Sequence, residues 1–172
     1  MLEKLKFQVI KIRETVYLMR NDMEFDEYGN LFPYKIIETD INTFEQIFVN
    51  NYIESKNRVI LFQKMKPFIE KLKDLISTHF YIWVDGSFVT KRLRPNDIDI
   101  LIFVESETLN QIEKQLYQLK RKFKPEIDSY FIEVLSLDNP KYFLFEMNRT
   151  EWLFTFSTNR NFQNKGIIQI DF

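Results

Sequence analysis

The stretch that most constrains the fold runs from Tyr81 to Val104, YIWVDGSFVTKRLRPNDIDILIFV. Tyr81–Val84 is apolar, aromatic and β-branched, which predicts a buried strand. Gly86 and Ser87 end it. Glycine lets the backbone turn sharply and approach a neighbour closely, because no Cβ stands in the way. After a polar excursion, Asp97-Ile98-Asp99-Ile100 leads into the apolar run Leu101–Val104, a second strand. Its period of two puts Asp97 and Asp99 on one face and Ile98 on the other. Two carboxylates side by side repel each other unless a cation lies between them. A hard ion with oxygen ligands, Mg²⁺ or Mn²⁺, suits such a pair and commonly keeps substrate phosphates in its shell.

The 172 residues suffice for one domain with a substantial core, and a hydrophobic content of 45% is that of a globular chain. The chain has no cysteine, so disulfides and thiolate metal sites are excluded. This fits a reducing compartment, and we expect a cytoplasmic protein. No apolar run is long enough to span a membrane, and the first residues are too charged for a signal peptide. A net charge of −1 gives no overall attraction for nucleic acid, so such binding would need a local patch.

Around the centre, helices are expected where apolar residues recur at steps of three and four. One covers residues 2–19, with Leu2, Leu5, Val9, Ile12, Val16 and Met19 as its stripe. Residues 1–24 are read as a helical addition to a single 1–172 domain, and the stripe would pack on its own domain or serve a protein partner or homodimer. A turn is expected over Phe25–Asn30, with Gly29 left-handed, and a short strand over Tyr34–Ile37. Asn42 would cap a short helix carrying Phe44, Ile47 and Phe48. A longer helix spans Arg58–Ser77, with a kink or break at Pro67. Thr108 would cap a helix closed by Pro125, and Pro140 would open a last one. Strands are expected over Ile127–Leu135 and Lys165–Phe172. The fold class is therefore α/β (α+β): a small mixed sheet flanked by helices.

The chemistry follows from the turn and the acids. Gly86 and Ser87 offer backbone N–H groups and a hydroxyl to a phosphate. A third carboxylate on a neighbouring strand would complete a metal site. Asp128 lies near the start of the next strand. Glu133, five residues on, faces the opposite way, so only one can point at the site, and we select Asp128. Lys91, Arg92 and Arg94 would add positive charge near phosphate oxygens, though a solvated loop explains them as well. Lys120, Arg121, Lys122 and Lys124 suit the negative end of a helix and need no partner. His79 reads as structural or exposed, and the aromatics from Tyr142 to Phe156 as core.

Gly86-Ser87, followed after Phe88–Asn96 by Asp97-Ile98-Asp99-Ile100, resembles the signature of the polymerase-β-type nucleotidyltransferase superfamily. More closely, WVDGSFVTKRLRPNDIDI, IDSYFIEV and WLFTFSTNRNFQNKGIIQI are similar to a small group of bacterial and phage nucleotidyltransferase-like domains, over roughly residues 28–172. One departure is Asp85, where a hydrophobic residue commonly precedes the glycine. An added carboxylate there is unfavourable unless it meets a metal or a base. The resemblance implies a nucleotidyltransferase fold and transfer of a nucleoside monophosphate from a nucleoside triphosphate to a hydroxyl. Asp97, Asp99 and Asp128 would hold Mg²⁺ or Mn²⁺, and Gly86, Ser87, Lys91, Arg92 and Arg94 would bind the nucleotide. The acceptor (protein, RNA or small molecule) stays open, and a toxin–antitoxin or phage-defence setting is implied by resemblance alone. By the same resemblance, Arg160 and Lys165 would reach the site, though a surface role explains them equally well. Two rivals remain: an inactive nucleotide-binding or interaction module, and a sugar-nucleotide transferase using Asp-x-Asp, against which the Gly-Ser turn argues.

Overall fold

A computed structural model describes residues 23–172. The helix expected over residues 2–19 lies outside them. Two short strands, β1 (Glu24–Phe25) and β2 (Leu31–Phe32), flank the turn in which Gly29 takes φ +81°. Then come β3 (Ile36–Thr39), helix α1 (Ile41–Glu45), a wide helical turn over Gln46–Asn50, and helix α2 (Lys56–Leu75). Strand β4 (Tyr81–Asp85) leads through a tight turn at Gly86–Val89 to β5 (Ile98–Glu105). Helix α3 (Ser106–Phe123), β6 (Ile127–Val134), helix α4 (Tyr142–Phe156) and β7 (Ile167–Asp171) complete the chain.

Five strands form one mixed sheet in the order β3-β7-β4-β5-β6. β4 is antiparallel to both neighbours, while β5 pairs parallel with β6 and β3 parallel with β7. The period of two sorts the side chains. One face carries Ile82, Val84, Ile98, Ile100, Ile102, Val104, Ile127, Ile168 and Ile170 in a core shared with Leu61, Met65, Phe68 and Leu72 of α2 and Leu116, Leu119 and Phe123 of α3. The other face carries Trp83, Leu101, Phe103, Ile132 and Ile167, packed with Phe145 and Phe156 of α4. The near-continuous apolar reading of β4 and β5 is thus that of strands covered on both sides.

Several expected boundaries shift. α1 is capped by Asp40 rather than Asn42: its carboxylate accepts the backbone N–H groups of Asn42 and Thr43 at 2.8 and 3.0 Å. Phe44, Ile47 and Phe48 are buried as expected, and the Phe44 ring stacks on Phe88 at 5.8 Å. α2 runs through Pro67 without a break. Pro67 and Gln63, whose carbonyl loses its partner, lie on the solvent face, where water can satisfy it. α3 starts at Ser106, so Thr108 falls inside its first turn, and α4 starts at Tyr142, beyond Pro140. β3 begins at Ile36 instead of Tyr34. Phe143 and Phe154 are exposed on α4, so the aromatic run is only partly core.

Candidate functional site

The face of the sheet covered by α4 is built of rungs across β4, β5 and β6. Tyr81 pairs with Phe103 and Phe103 with Ile132; Trp83 pairs with Leu101 and Leu101 with Tyr130. The next rung is Asp85, Asp99 and Asp128. Three carboxylates therefore stand in register on three adjacent strands, where the two rungs before them are mostly apolar. This sets Asp99 and Asp128 side by side and adds Asp85 to their row. Asp97 sits one residue ahead of β5, not on it, and is half-buried beside the row. Glu133 lies further along β6, where Ser106 Oγ donates a hydrogen bond to it.

Gly86 explains why glycine is required. It takes φ +75°, and a Cβ there would stand 1.8 Å from Asp99 Oδ2 and 2.9 Å from its Cγ. The turn thus folds directly onto the Asp99 carboxylate, a close approach that only glycine permits. Burial and the neighbouring Asp97, Asp85 and Asp128 charges push the Asp99 carboxyl up to about 6.

Asp85 meets the base its position demands. Lys165 Nζ donates to Asp85 Oδ2 at 2.6 Å, and both side chains are only 6% exposed. Burial pushes the Asp85 carboxyl up, against the pull of the Lys165 ammonium and the Gly86 N–H. Its other oxygen, Oδ1, is buried with no hydrogen-bond partner among the described residues. Asp128 accepts a hydrogen bond from the Tyr130 hydroxyl at 3.1 Å. Its Oδ1 is buried with Lys124 Nζ at 3.3 Å, an ion-pair distance without hydrogen-bond geometry.

The row borders a cavity of about 710 Å³ lined by Gly86, Ser87, Asp97 and Asp99 on one side. Lys91, Arg92, Arg160 and Lys165 bring four cationic side chains to the same cavity. Arg94 is exposed and does not line it, and Asp128 lies beyond its wall. His79 is exposed at 3.5 Å from Asp171, away from the cavity. Asn30 and Asn159, joined by a 3.2 Å hydrogen bond, also line it and have no sequence signal of their own.

Sequence reasoning also missed Arg58. It is fully buried and, among the described residues, has no carboxylate partner. Its guanidinium donates to the carbonyls of Phe48 (2.8 Å), Phe88 (2.6 Å), Thr90 (2.6 Å) and Arg92 (2.7 and 3.1 Å), and lies 4.0 Å from the Tyr52 ring centroid. Desolvation lowers it to about 10. These bonds pin the Gly86–Arg92 loop from beneath, with Ser55 Oγ donating to Leu93 O just beyond. The loop partners lie 30 to 34 residues away in sequence, so no local pattern announces them.

The donors suit a hard cation: carboxylate oxygens, with buried oxygens on Asp85 and Asp128, either side of Asp99, that have no hydrogen-bond partner among the described residues. Among the described residues, however, no three acidic or imidazole side chains are gathered around one point. Asp85 is turned to Lys165, and Asp128 to Lys124 and Tyr130. Fold and site together define a mixed α+β domain with a carboxylate row at the edge of a cation-rich cavity. The chain belongs to DUF6932, a family of unknown function whose model matches residues 23–171. No curated protein and no solved structure matches it. No described helix is long and apolar enough to cross a membrane.

Proposed function

We propose that this protein is a metal-dependent nucleotidyltransferase of the polymerase-β-type fold, moving a nucleoside monophosphate from a nucleoside triphosphate to a hydroxyl acceptor. One observation carries the reading. Asp97 and Asp99 line one cavity with Lys91, Arg92, Arg160 and Lys165, and Asp99 stands in register between Asp85 and Asp128. Carboxylates facing cations across one cavity suit a polyphosphate that arrives with its own divalent ion.

Asp97, Asp99 and Asp128 would hold Mg²⁺ or Mn²⁺, which supplies neutralisation of the charge on the phosphates. The protein's own groups do the rest. Gly86 and Ser87 present a backbone N–H and a hydroxyl to phosphate oxygens. Lys91, Arg92 and Arg160 hold the outer phosphates, and Arg58 keeps the loop rigid. The acceptor hydroxyl oxygen forms a bond to the α-phosphorus. The bond from that phosphorus to the bridging oxygen breaks, and pyrophosphate leaves with the electron pair. Asp128, at the outer end of the row, takes the hydroxyl proton. Lys165 balances Asp85, so the row carries less net charge than three free carboxylates.

A second reading has its own observation. Because Asp85 and Asp128 already have cationic neighbours, the row is partly neutralised internally, as in a module that binds nucleotide or protein without catalysis. A thermal-shift scan of the wild type and Asp97→Asn/Asp99→Asn against the four nucleoside triphosphates, with Mg²⁺ or Mn²⁺, separates them. The transferase reading expects a metal-dependent rise in the wild type only, about 2.7 kcal/mol at a hundred times the dissociation constant. No rise with any nucleotide would end it.

A further inference from the structure

β6 is an end strand of the sheet. Among the described residues, its eight positions pair only with β5. It is twice the length of β3, the other end strand, and contains no proline. A long open edge of this kind presents a row of backbone N–H and C=O groups, which proteins either blunt or use. Here the edge lies in a groove of about 940 Å³ between α3 and α4. Tyr130, Phe131, Ile132 and Glu133 line it consecutively. Consecutive strand residues point to opposite faces, so a groove that touches all four runs along the strand's edge rather than over one face.

The walls carry chemistry as well. Tyr117 of α3 is 62% exposed, and Trp152 of α4 packs at 5.1 Å from the Tyr130 ring. Lys114, Lys120 and Arg121 bring three cations, with Lys120 Nζ 4.2 Å above Tyr130. Two acids, Glu113 and Glu133, line it as well, so the three cations outnumber them by one. The groove ends at the catalytic row, because Tyr130 both lines it and donates to Asp128.

We propose that the acceptor is a segment of a partner protein, bound extended in this groove as a sixth strand against β6, with acidic residues facing Lys114, Lys120 and Arg121. The segment delivers a serine, threonine or tyrosine hydroxyl to Asp128. Its oxygen bonds to the α-phosphorus, pyrophosphate leaves with the electrons of the broken bond, and the proton passes to Asp128. This inference rests on the transferase reading and names its acceptor class. A polypeptide is favoured over a nucleic acid because its own N–H and C=O groups repeat every two residues in step with the open edge. A net charge of −1 offers a long polyanion no general attraction.

The test selects binders from a randomised dodecapeptide display library on the full-length protein. Selected sequences are then synthesised and titrated by fluorescence anisotropy, and hydrogen exchange of the β6 amides is followed on binding. The expected peptides combine acidic residues with a hydroxyl residue and slow exchange across Tyr130–Val134. The surface variant Lys114→Glu/Arg121→Glu should weaken them by about tenfold. Trp152→Ala provides a second check on the wall. Four results would overturn the proposal: no enriched peptide, binding without protection of β6, binding of a U12 oligonucleotide there instead, or a solution dimer that covers the groove. Nucleotide stabilisation without peptide binding would sink the acceptor class alone. Peptide binding with protection of β6 but no nucleotide stabilisation would keep the docking surface and sink the transferase reading.

Discussion

Replacing Asp99 with asparagine should stabilise the protein at neutral pH and do nothing at pH 4. Asp99 is held among Asp85, Asp97 and Asp128, and its carboxyl is raised from 3.8 to about 6. The native state therefore binds a proton between these values that the unfolded chain has already released. Stability falls as pH rises through this window, and the full cost is present above about 7. A rise of about two units corresponds to about 3 kcal/mol before solvent screening. Asp99 is only half-buried, so after screening by water roughly 1–2 kcal/mol should survive. For a chain of this size that means about 3–6 °C in Tm. The assay is calorimetry of wild type and Asp99→Asn from pH 4 to 8, with and without millimolar Mg²⁺. The variant should lead at pH 7.5, the gap should close toward pH 4, and Mg²⁺ should narrow it by stabilising the wild type alone. A gap independent of pH, or a variant less stable at pH 7.5, would refute the like-charge account of the row.

Three further substitutions test neighbouring parts. Gly86→Ala would drive a Cβ into the Asp99 carboxylate at a positive φ, so urea denaturation should show a loss of at least about 2 kcal/mol. Lys165→Met leaves Asp85 buried and unpaired and should cost about 3–5 kcal/mol, while Lys165→Met/Asp85→Asn should recover much of it in the same assay. Arg58→Met strands the carbonyls of Phe88, Thr90 and Arg92; it should cost about 3 kcal/mol or more, and proteolysis should open the chain at the Gly86–Arg92 loop first.

Periodicity and punctuation made much of this fold readable. The β4–turn–β5 unit, the 18-residue α3 stripe and β6 all announce themselves locally, and the relation of Asp99 to Asp128 follows from the alternation of side chains on strands. What stayed hidden depends on partners distant in sequence. Asp85 was visible as an oddity, but its answer, Lys165, lies 80 residues on. Arg58 looked like one more polar residue opening a helix, because the carbonyls it serves belong to a loop that only folding brings near. Helix starts moved because several residues in a row could cap. Asp40 took α1 from Asn42 by having a carboxylate in reach of two N–H groups. Arg94 shares the basic character of Lys91 and Arg92, and only the path of the loop distinguishes it from them.

The central claim is that the carboxylate row and the cationic cavity together take a divalent ion with a nucleotide. Mn²⁺ makes this directly measurable, since the paramagnetic resonance signal of the free ion disappears on binding. Titrating the protein into Mn²⁺ with a non-hydrolysable nucleoside triphosphate should remove more signal than nucleotide or protein alone, and Asp99→Asn should abolish the difference. Equal signal loss in wild type and variant, or none beyond that of the nucleotide itself, would contradict the account.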